Sequence, residues 1–210
     1  MDNLNKLLWN YERGLASRLG KKYYYWACEI AKNRIRKLPI KDAKIELDFN
    51  SLNIVTNLND RSLYINPYDE GISADLYAWG IREPLNTYTL FKFITEKRRN
   101  IDAILDIGSN IGYFPLIELA SGAKEVIGVE PVPETYTFLK RNLDRFKNSI
   151  TLNVAIADKA GKIKMYIPPQ LNYATAQREA VSFFTKHSRI KVIEVNSFSL
   201  EDIIRSYNLK

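Results

Sequence analysis

The sequence is poor in the residues that build disulfides and metal centres. It holds one cysteine, Cys28, and one histidine, His187. A single thiol excludes an internal disulfide, and one thiol with one imidazole is too small a set of soft ligands for a zinc site. Long apolar runs are also missing. None approaches the roughly 18 residues of a membrane span, and the start MDNLNKLLWN lacks the basic-then-apolar plan of a secretory leader. A cytosolic location is the default expectation.

What is present is an ordinary soluble composition, 46% hydrophobic and 26% charged over 210 residues, enough for one domain with or without an appendage. The net charge of +7 is unevenly placed: residues 1–40 hold nine Lys/Arg against three Asp/Glu, and residues 41–210 hold 22 against 21. Residues 1–40 are therefore a basic arm. Within it Leu4, Leu7, Leu8, Tyr11 and Leu15, then Tyr23, Trp26, Ala27 and Ile30, recur at helical spacing, which predicts two amphipathic helices broken near Gly20. Three roles stay open for such an arm: packing on the domain with a solvated charged face, peripheral contact with an anionic membrane surface, or RNA binding. No stacking motif accompanies the charge to favour nucleic acid.

From Lys41 the period changes. KIELDF, LNIVTNL and SLYINP read as short strands between Asn, Asp and Ser turn signals, a small antiparallel β-meander over residues 41–70. A loop through SADLYAWGIRE then leads to a helix opened by Pro84, with Leu85, Tyr88, Leu90, Phe91 and Ile94 as its buried side.

The centre of the chain is ILDIGSNIGYF, Ile104 to Phe114. An apolar run ends in Gly108, Asn110 and Gly112 and a helical pattern follows, so the stretch reads as strand, tight turn, helix. Glycines there leave room for a sharp turn and a close ligand, and the helix start aims free N–H groups at it. Dinucleotide-binding turns use the spacing G-x-G-x-x-G; here it is G-x-N-x-G, preceded by Asp106. A carboxylate at that point repels a pyrophosphate but suits an adenosine ligand carrying an ammonium and a sulfonium. The ligand expected is S-adenosylmethionine and not NAD. Glu130, 24 residues after Asp106 at the end of the strand GAKEVIGVE, is placed to accept hydrogen bonds from both ribose hydroxyls. The bland alternative is that Asp106 caps the turn and Glu130 is a surface carboxylate.

Helix Tyr113 to Ala120, strand Glu125 to Glu130, helix Glu134 to Phe146 and strand Ile150 to Ala155 follow, an alternation that predicts a parallel, doubly wound α/β sheet. Its third strand end, Asn153, Val154 and Ala155, should border the adenine. Asp158 lies nearby, or merely opens the turn of a hairpin into KIKMYIP. Pro168 to Arg189 reads as a lid or substrate loop, IKVIEVNSF as a strand, and Ser199 with Glu201 and Asp202 as the start of a last short helix.

Taken in order, ADLYAWGIREP, ILDIGSNIGYF, VIGVEPVPETYTFLKRNL, NVAIADKAGKIKMYI and VIEVNSFSLEDII resemble the FkbM family of S-adenosylmethionine-dependent methyltransferases, in the form common among archaea. The resemblance covers residues 72–210 and leaves the arm outside. It implies the class I, Rossmann-like methyltransferase fold over residues 71–210, and methyl transfer to a hydroxyl of a sugar, glycan or lipid-linked acceptor. Cofactor contacts are implied for Asp106, Gly108, Ser109, Asn110, Gly112 and Glu130. No catalytic base is assigned; Glu83, Tyr113 and Asp158 are candidates, with Glu83 equally readable as a partner of a helix dipole. The family continues beyond SLEDII into a strand with an Asp-x-Glu-Gly motif that would pair beside Ala103 to Ile107. The expectation is therefore a C-terminally incomplete sheet, a truncated or split member, with self-association or a partner chain at the open edge. A noncatalytic cofactor-binding subunit and an RNA methyltransferase are the alternatives.

Overall fold

The computed structural model describes residues 43–210 apart from 53–55, 57, 68, 70, 169–170, 182–189 and 210, together with Trp26, Ile30 and Asn33. Of the two helices expected in the arm, the first lies outside the described residues; within the second, Trp26, Ile30 and Asn33 are described and each is helical. Most of the second half of the expected lid also lies outside the described residues.

The described chain is mixed α/β. It begins with β1 (Ala43–Glu46) and β2 (Ser62–Ile65), an antiparallel pair in which Lys44 faces Tyr64 and Ile45 faces Leu63. The meander expected here is, among the described residues, a two-stranded pair. Asn50–Leu52 forms a 3-10 turn, and the Asn-Ser signal that suggested a break between strands marks that turn instead. Leu47, Phe49, Leu52, Leu63 and Ile65 share a core with Ile111, Tyr113, Leu116 and Ile117, so the pair packs against the central turn and its helix.

The segment expected as a loop is helix α1 (Ile72–Trp79), stopped by Gly80, whose φ of 66° is the left-handed cap and whose N–H donates to Leu76 O at 2.8 Å. Helix α2 (Pro84–Lys97) opens with proline at its first position, as expected. Its buried stripe differs from the expected one. Pro84, Thr87 and Ile94 are buried and Tyr88 and Phe91 half-buried, while Leu85 is exposed, because it stands about 100° round the helix from Pro84.

Three parallel strands follow, β3 (Ile104–Ile107), β4 (Val126–Val129) and β5 (Ser149–Leu152), paired in the order β3-β4-β5. They are joined by α3 (Tyr113–Ala120) and α4 (Pro133–Leu143). Central β4 is buried along its whole length, which its unbroken apolar sequence VIGV anticipates. Ile94 of α2, Leu119 of α3 and Leu139 and Leu143 of α4 pack together against Val126, so these helices cover one face of the sheet. Among the described residues the sheet winds in one direction only and β3 is its end strand; the reversal that defines a doubly wound sheet is not among them.

The strand expected from Ile150 to Ala155 is two strands in two sheets. β5 ends at Leu152, the chain steps aside at Asn153 and Val154, and β6 (Ala155–Ile156) joins a second sheet of order β6-β8-β7. β7 (Gly161–Ile167) does not form a hairpin with β6. It pairs antiparallel with β8 (Lys191–Phe198), which also pairs parallel with β6. Helix α5 (Leu200–Ser206) opens with a capping box: Asp202 N donates to Ser199 Oγ at 3.0 Å and Ser199 N donates to Asp202 Oδ2 at 3.2 Å.

Candidate functional site

The turn between β3 and α3 puts three residues of five in the left-handed region: Gly108 at φ 83°, Asn110 at φ 51° and Gly112 at φ 92°. Glycine and asparagine are the residues that adopt it at least cost, which is why the sequence reads G-x-N-x-G. The two glycines serve different neighbours. A Cβ on Gly112 would stand 3.1 Å from Leu139 Cδ1, so its absence lets α4 pack close, whereas nothing lies within 4 Å of a Cβ built on Gly108. Gly108 faces open space at the strand end.

Backbone and side chain together tie this turn to β4. The N–H groups of Gly108 and Ser109 both donate to Val129 O, at 2.9 and 3.0 Å. The buried Ser109 hydroxyl donates to Asp106 O at 2.9 Å, lies 3.2 Å from Asp106 Oδ1, and accepts Val129 N–H at 2.9 Å. Gly128 is needed beneath it, since a Cβ there would come within 3.1 Å of that hydroxyl.

Glu130 follows β4 and is 6% exposed. Its Oε2 accepts Asn110 N–H at 3.0 Å and its Oε1 accepts Val132 N–H at 2.9 Å, while its own N–H donates to Leu152 O at 3.0 Å. Each carboxylate oxygen has two lone pairs, so one acceptor position per oxygen remains. Burial pushes its pKa up to about 7, against the pull of the two N–H bonds. Asn153 turns its amide back to donate to Glu130 O at 2.8 Å and Pro131 O at 3.2 Å. This bond fixes the step between the two sheets. Val154 is half-buried and Ala155 buried beside it.

Asp106 and Glu130 thus stand at adjacent strand ends, and the Asp106 carboxyl is also held above its usual range, chiefly by burial. Each raises the cost of charge on the other, Asp106 being one of the causes of the Glu130 shift. A ligand bringing positive charge relieves that repulsion; a pyrophosphate adds to it.

The three candidate bases separate. The Tyr113 side chain is 1% exposed and its hydroxyl is closed in a ring: it accepts Arg82 N–H at 3.1 Å, lies 3.0 Å from Arg82 O, and meets Thr87 Oγ1 at 3.0 Å. Burial lifts its pKa to about 12. Glu83 is exposed, at the start of α2 with φ 45°, and is held by Arg82 Nε at 3.2 Å and Asn86 Nδ2 at 2.9 Å. Through the Tyr113–Arg82 bonds it sits beside the central turn. Asp158 is exposed in the bend after β6.

Two side chains important here were not anticipated. Asn142 is fully buried on α4; its Oδ1 accepts Tyr64 N–H at 2.7 Å, and its amide donates to Tyr64 O at 2.9 Å and Ile111 O at 2.7 Å. One amide joins the hairpin, the turn and α4. The other is Glu118, the lone charge in YFPLIELA, which is buried against the apolar pattern around it; a carboxylate inside an otherwise apolar helix was the available signal.

Residues 106–210 match the family model described as the methyltransferase FkbM domain. No curated protein and no solved structure matches the chain.

Proposed function

Because the chain belongs to the FkbM methyltransferase family, we propose that it is an S-adenosylmethionine-dependent methyltransferase of the class I, Rossmann-like kind, acting on a hydroxyl oxygen of a sugar, glycan or lipid-linked acceptor. The observation that carries the cofactor assignment is Glu130, oriented by Asn110 and Val132 N–H bonds with an acceptor position free on each oxygen.

The residues present fit the cofactor. Glu130 would accept from the two ribose hydroxyls, Asp106 would face the ammonium, and open Gly108 would allow close approach of the methionine end. Asn153, Val154 and Ala155 would border the adenine. When bound, S-adenosylmethionine supplies a methyl carbon already activated by the sulfonium.

The protein's own task is then positioning, together with acceptance of the acceptor's proton. Tyr113 is unsuited to take that proton, since its hydroxyl is buried and engaged. Glu83 is the exposed carboxylate beside the turn, and its left-handed backbone is the kind of local cost that persists where the surroundings impose it.

The side of β3 that carries no strand among the described residues supports a second reading, a cofactor-binding subunit that needs a partner chain before it turns over. Ile107 there is 53% exposed, while its register partner Val129 is 1% exposed. Calorimetric titration with S-adenosylhomocysteine tests the cofactor assignment. Saturable binding that excess NAD does not displace is expected, and absence of binding overturns it. Turnover by the protein alone would remove the second reading.

A further inference from the structure

Helix α3 packs one carboxyl inward among apolar side chains. Glu118 is 4% exposed and stands between Ile117 and Leu119, which are buried with it. Its Oε2 is wholly enclosed by the protein's own atoms and has no hydrogen-bond partner, so nothing outside the protein reaches it. Buried carboxylates are ordinarily paired or fully hydrogen-bonded, and one left alone takes up a proton instead of keeping its charge.

Among the described residues, the elements packed on α3 bring no cation to Glu118. From β3 comes Asp106, of the same sign. Its register partner Gly128 faces Ser109, Leu139 and Leu143, so Asp106 stands on the face of the sheet that α3 and α4 cover. Strand β4 holds no charged residue. The charged side chains of α2 (Lys92, Glu96, Lys97), of α4 (Glu134, Lys140, Arg141) and of the β1–β2 pair (Lys44, Glu46) are exposed. Tyr113, the other titratable group of α3, is engaged by Arg82 and Thr87. Accordingly burial, and after it Asp106, push the Glu118 pKa up to about 8. Asp106 acts on Glu130 as well, so it links the carboxyl enclosed under the turn to the one at the end of β4.

We propose that Glu118 is a positioning residue of the cofactor site: it holds a proton in the free protein and releases that proton when the ligand's ammonium binds beside Asp106. This role rests on the cofactor assignment made above. A neutral Glu118 leaves Asp106 to carry the charge that the ammonium meets. Once the positive charge is in place, it offsets the repulsion between the two carboxylates, and the Glu118 O–H breaks, its electron pair staying on the oxygen and its proton passing to the buffer. Binding that releases a proton strengthens as protons become scarce, so affinity rises with pH more steeply than Asp106 and Glu130 alone would make it.

The test uses the full chain and S-adenosylhomocysteine. Calorimetry in two buffers of different ionisation enthalpy counts the protons released, and infrared spectroscopy reads the band of a protonated carboxyl. At pH 7.5 the parent protein is expected to release more protons per ligand than Glu118→Gln, with folding of both checked by circular dichroism. The ratio of parent to variant affinity should grow by about threefold or more from pH 6 to pH 8. The ligand's own amino group titrates alike in both measurements and cancels in that ratio. Glu118→Asp, which keeps a carboxyl, should recover part of the extra release. In the parent alone, the protonated-carboxyl band should weaken when the ligand binds. Equal proton counts or a flat ratio in two folded, binding proteins would overturn the role of Glu118 and leave the cofactor assignment standing. A band unchanged by saturating ligand would overturn it too, even if the glutamine variant does not fold. A parent that binds no S-adenosylhomocysteine would overturn the cofactor assignment itself, and this role with it.

Discussion

The backbone N–H of Asn110 donates to Glu130 Oε2 at 3.0 Å, joining the turn after β3 to the end of β4 by a side chain as well as by the sheet ladder. The same carboxylate accepts Val132 N–H at 2.9 Å, so it must be an acceptor at both oxygens.

Glutamine at position 130 is therefore not a conservative change. Its amide nitrogen would face a backbone donor, and one N–H would lose its partner. Glu130→Gln and Glu130→Ala are both expected to lower stability by about 1–3 kcal/mol for each buried N–H left unsatisfied. Both should weaken S-adenosylhomocysteine binding by about 1.5–3 kcal/mol if the ribose bonds are made to the charged carboxylate. Urea unfolding and calorimetry separate the two effects. Unchanged affinity in a folded variant would leave Glu130 a structural brace alone.

Asn142 holds three backbone groups with one amide, at 2.7, 2.9 and 2.7 Å. Asn142→Leu keeps the branched shape and removes all three bonds, leaving the Tyr64 N–H and carbonyl and the Ile111 carbonyl without this partner. The expected loss is on the order of 3 kcal/mol or more, summed over three groups at about 1 kcal/mol or above each. Chemical unfolding reads it; a loss below about 1 kcal/mol would mean that water replaces the amide.

Tyr113→Phe tests whether the buried hydroxyl has any chemical part. Because Tyr113 bonds to Arg82 and Thr87 and its pKa is raised to about 12, the variant should lose stability, about 1–3 kcal/mol for the orphaned Arg82 N–H. The rate with a competent acceptor should stay within a few fold. A fall of a hundredfold or more, in a protein that still binds cofactor, would assign Tyr113 to the reaction.

The turn was legible because its chemistry is local: Gly108, Asn110 and Gly112 occupy the three left-handed positions, and asparagine and glycine advertise that backbone. The start of α5 was legible for the same reason, Ser199 and Asp202 being three apart. What failed was non-local. Nothing near Gly161 announces that β7 will pair with a strand about 30 residues on, and the step at Asn153 depends on carbonyls of Glu130 and Pro131. Helix α1 was hidden because ISADLYAW lacks a side-chain cap at its start and shows little amphipathic contrast, although Gly80 marks its end. The burial of Glu118 is set by what packs around α3, which periodicity does not reveal.

Stability should fall as pH rises from acid toward neutral. Glu130 has its pKa raised from 4.5 to about 7 in the folded protein, and Asp106 and Glu118 are raised too, burial leading in each case. A carboxyl whose folded value lies above its unfolded value binds more protons in the native state through the interval, so the slope of stability against pH is negative there. For Glu130 the interval runs from about 4.5 to about 7. The lowered carboxyls, Asp60 and Asp202, act in the opposite sense and only below the ordinary carboxylate range, where their stabilisation is lost as they protonate. The thermal midpoint at constant ionic strength should accordingly drop between pH 5 and pH 8. Glu118→Gln isolates one contributor: it should match the parent protein near pH 5, where Glu118 is protonated in the native state, and exceed it at pH 8, where the parent must keep an unpaired carboxylate charged or protonated at a cost. If Glu118→Gln instead lowers the midpoint at pH 8, Glu118 is already neutralised by a cation in the protein alone. Its buried oxygen would then have a partner, and the fall in stability toward pH 8 would rest on Glu130 and Asp106.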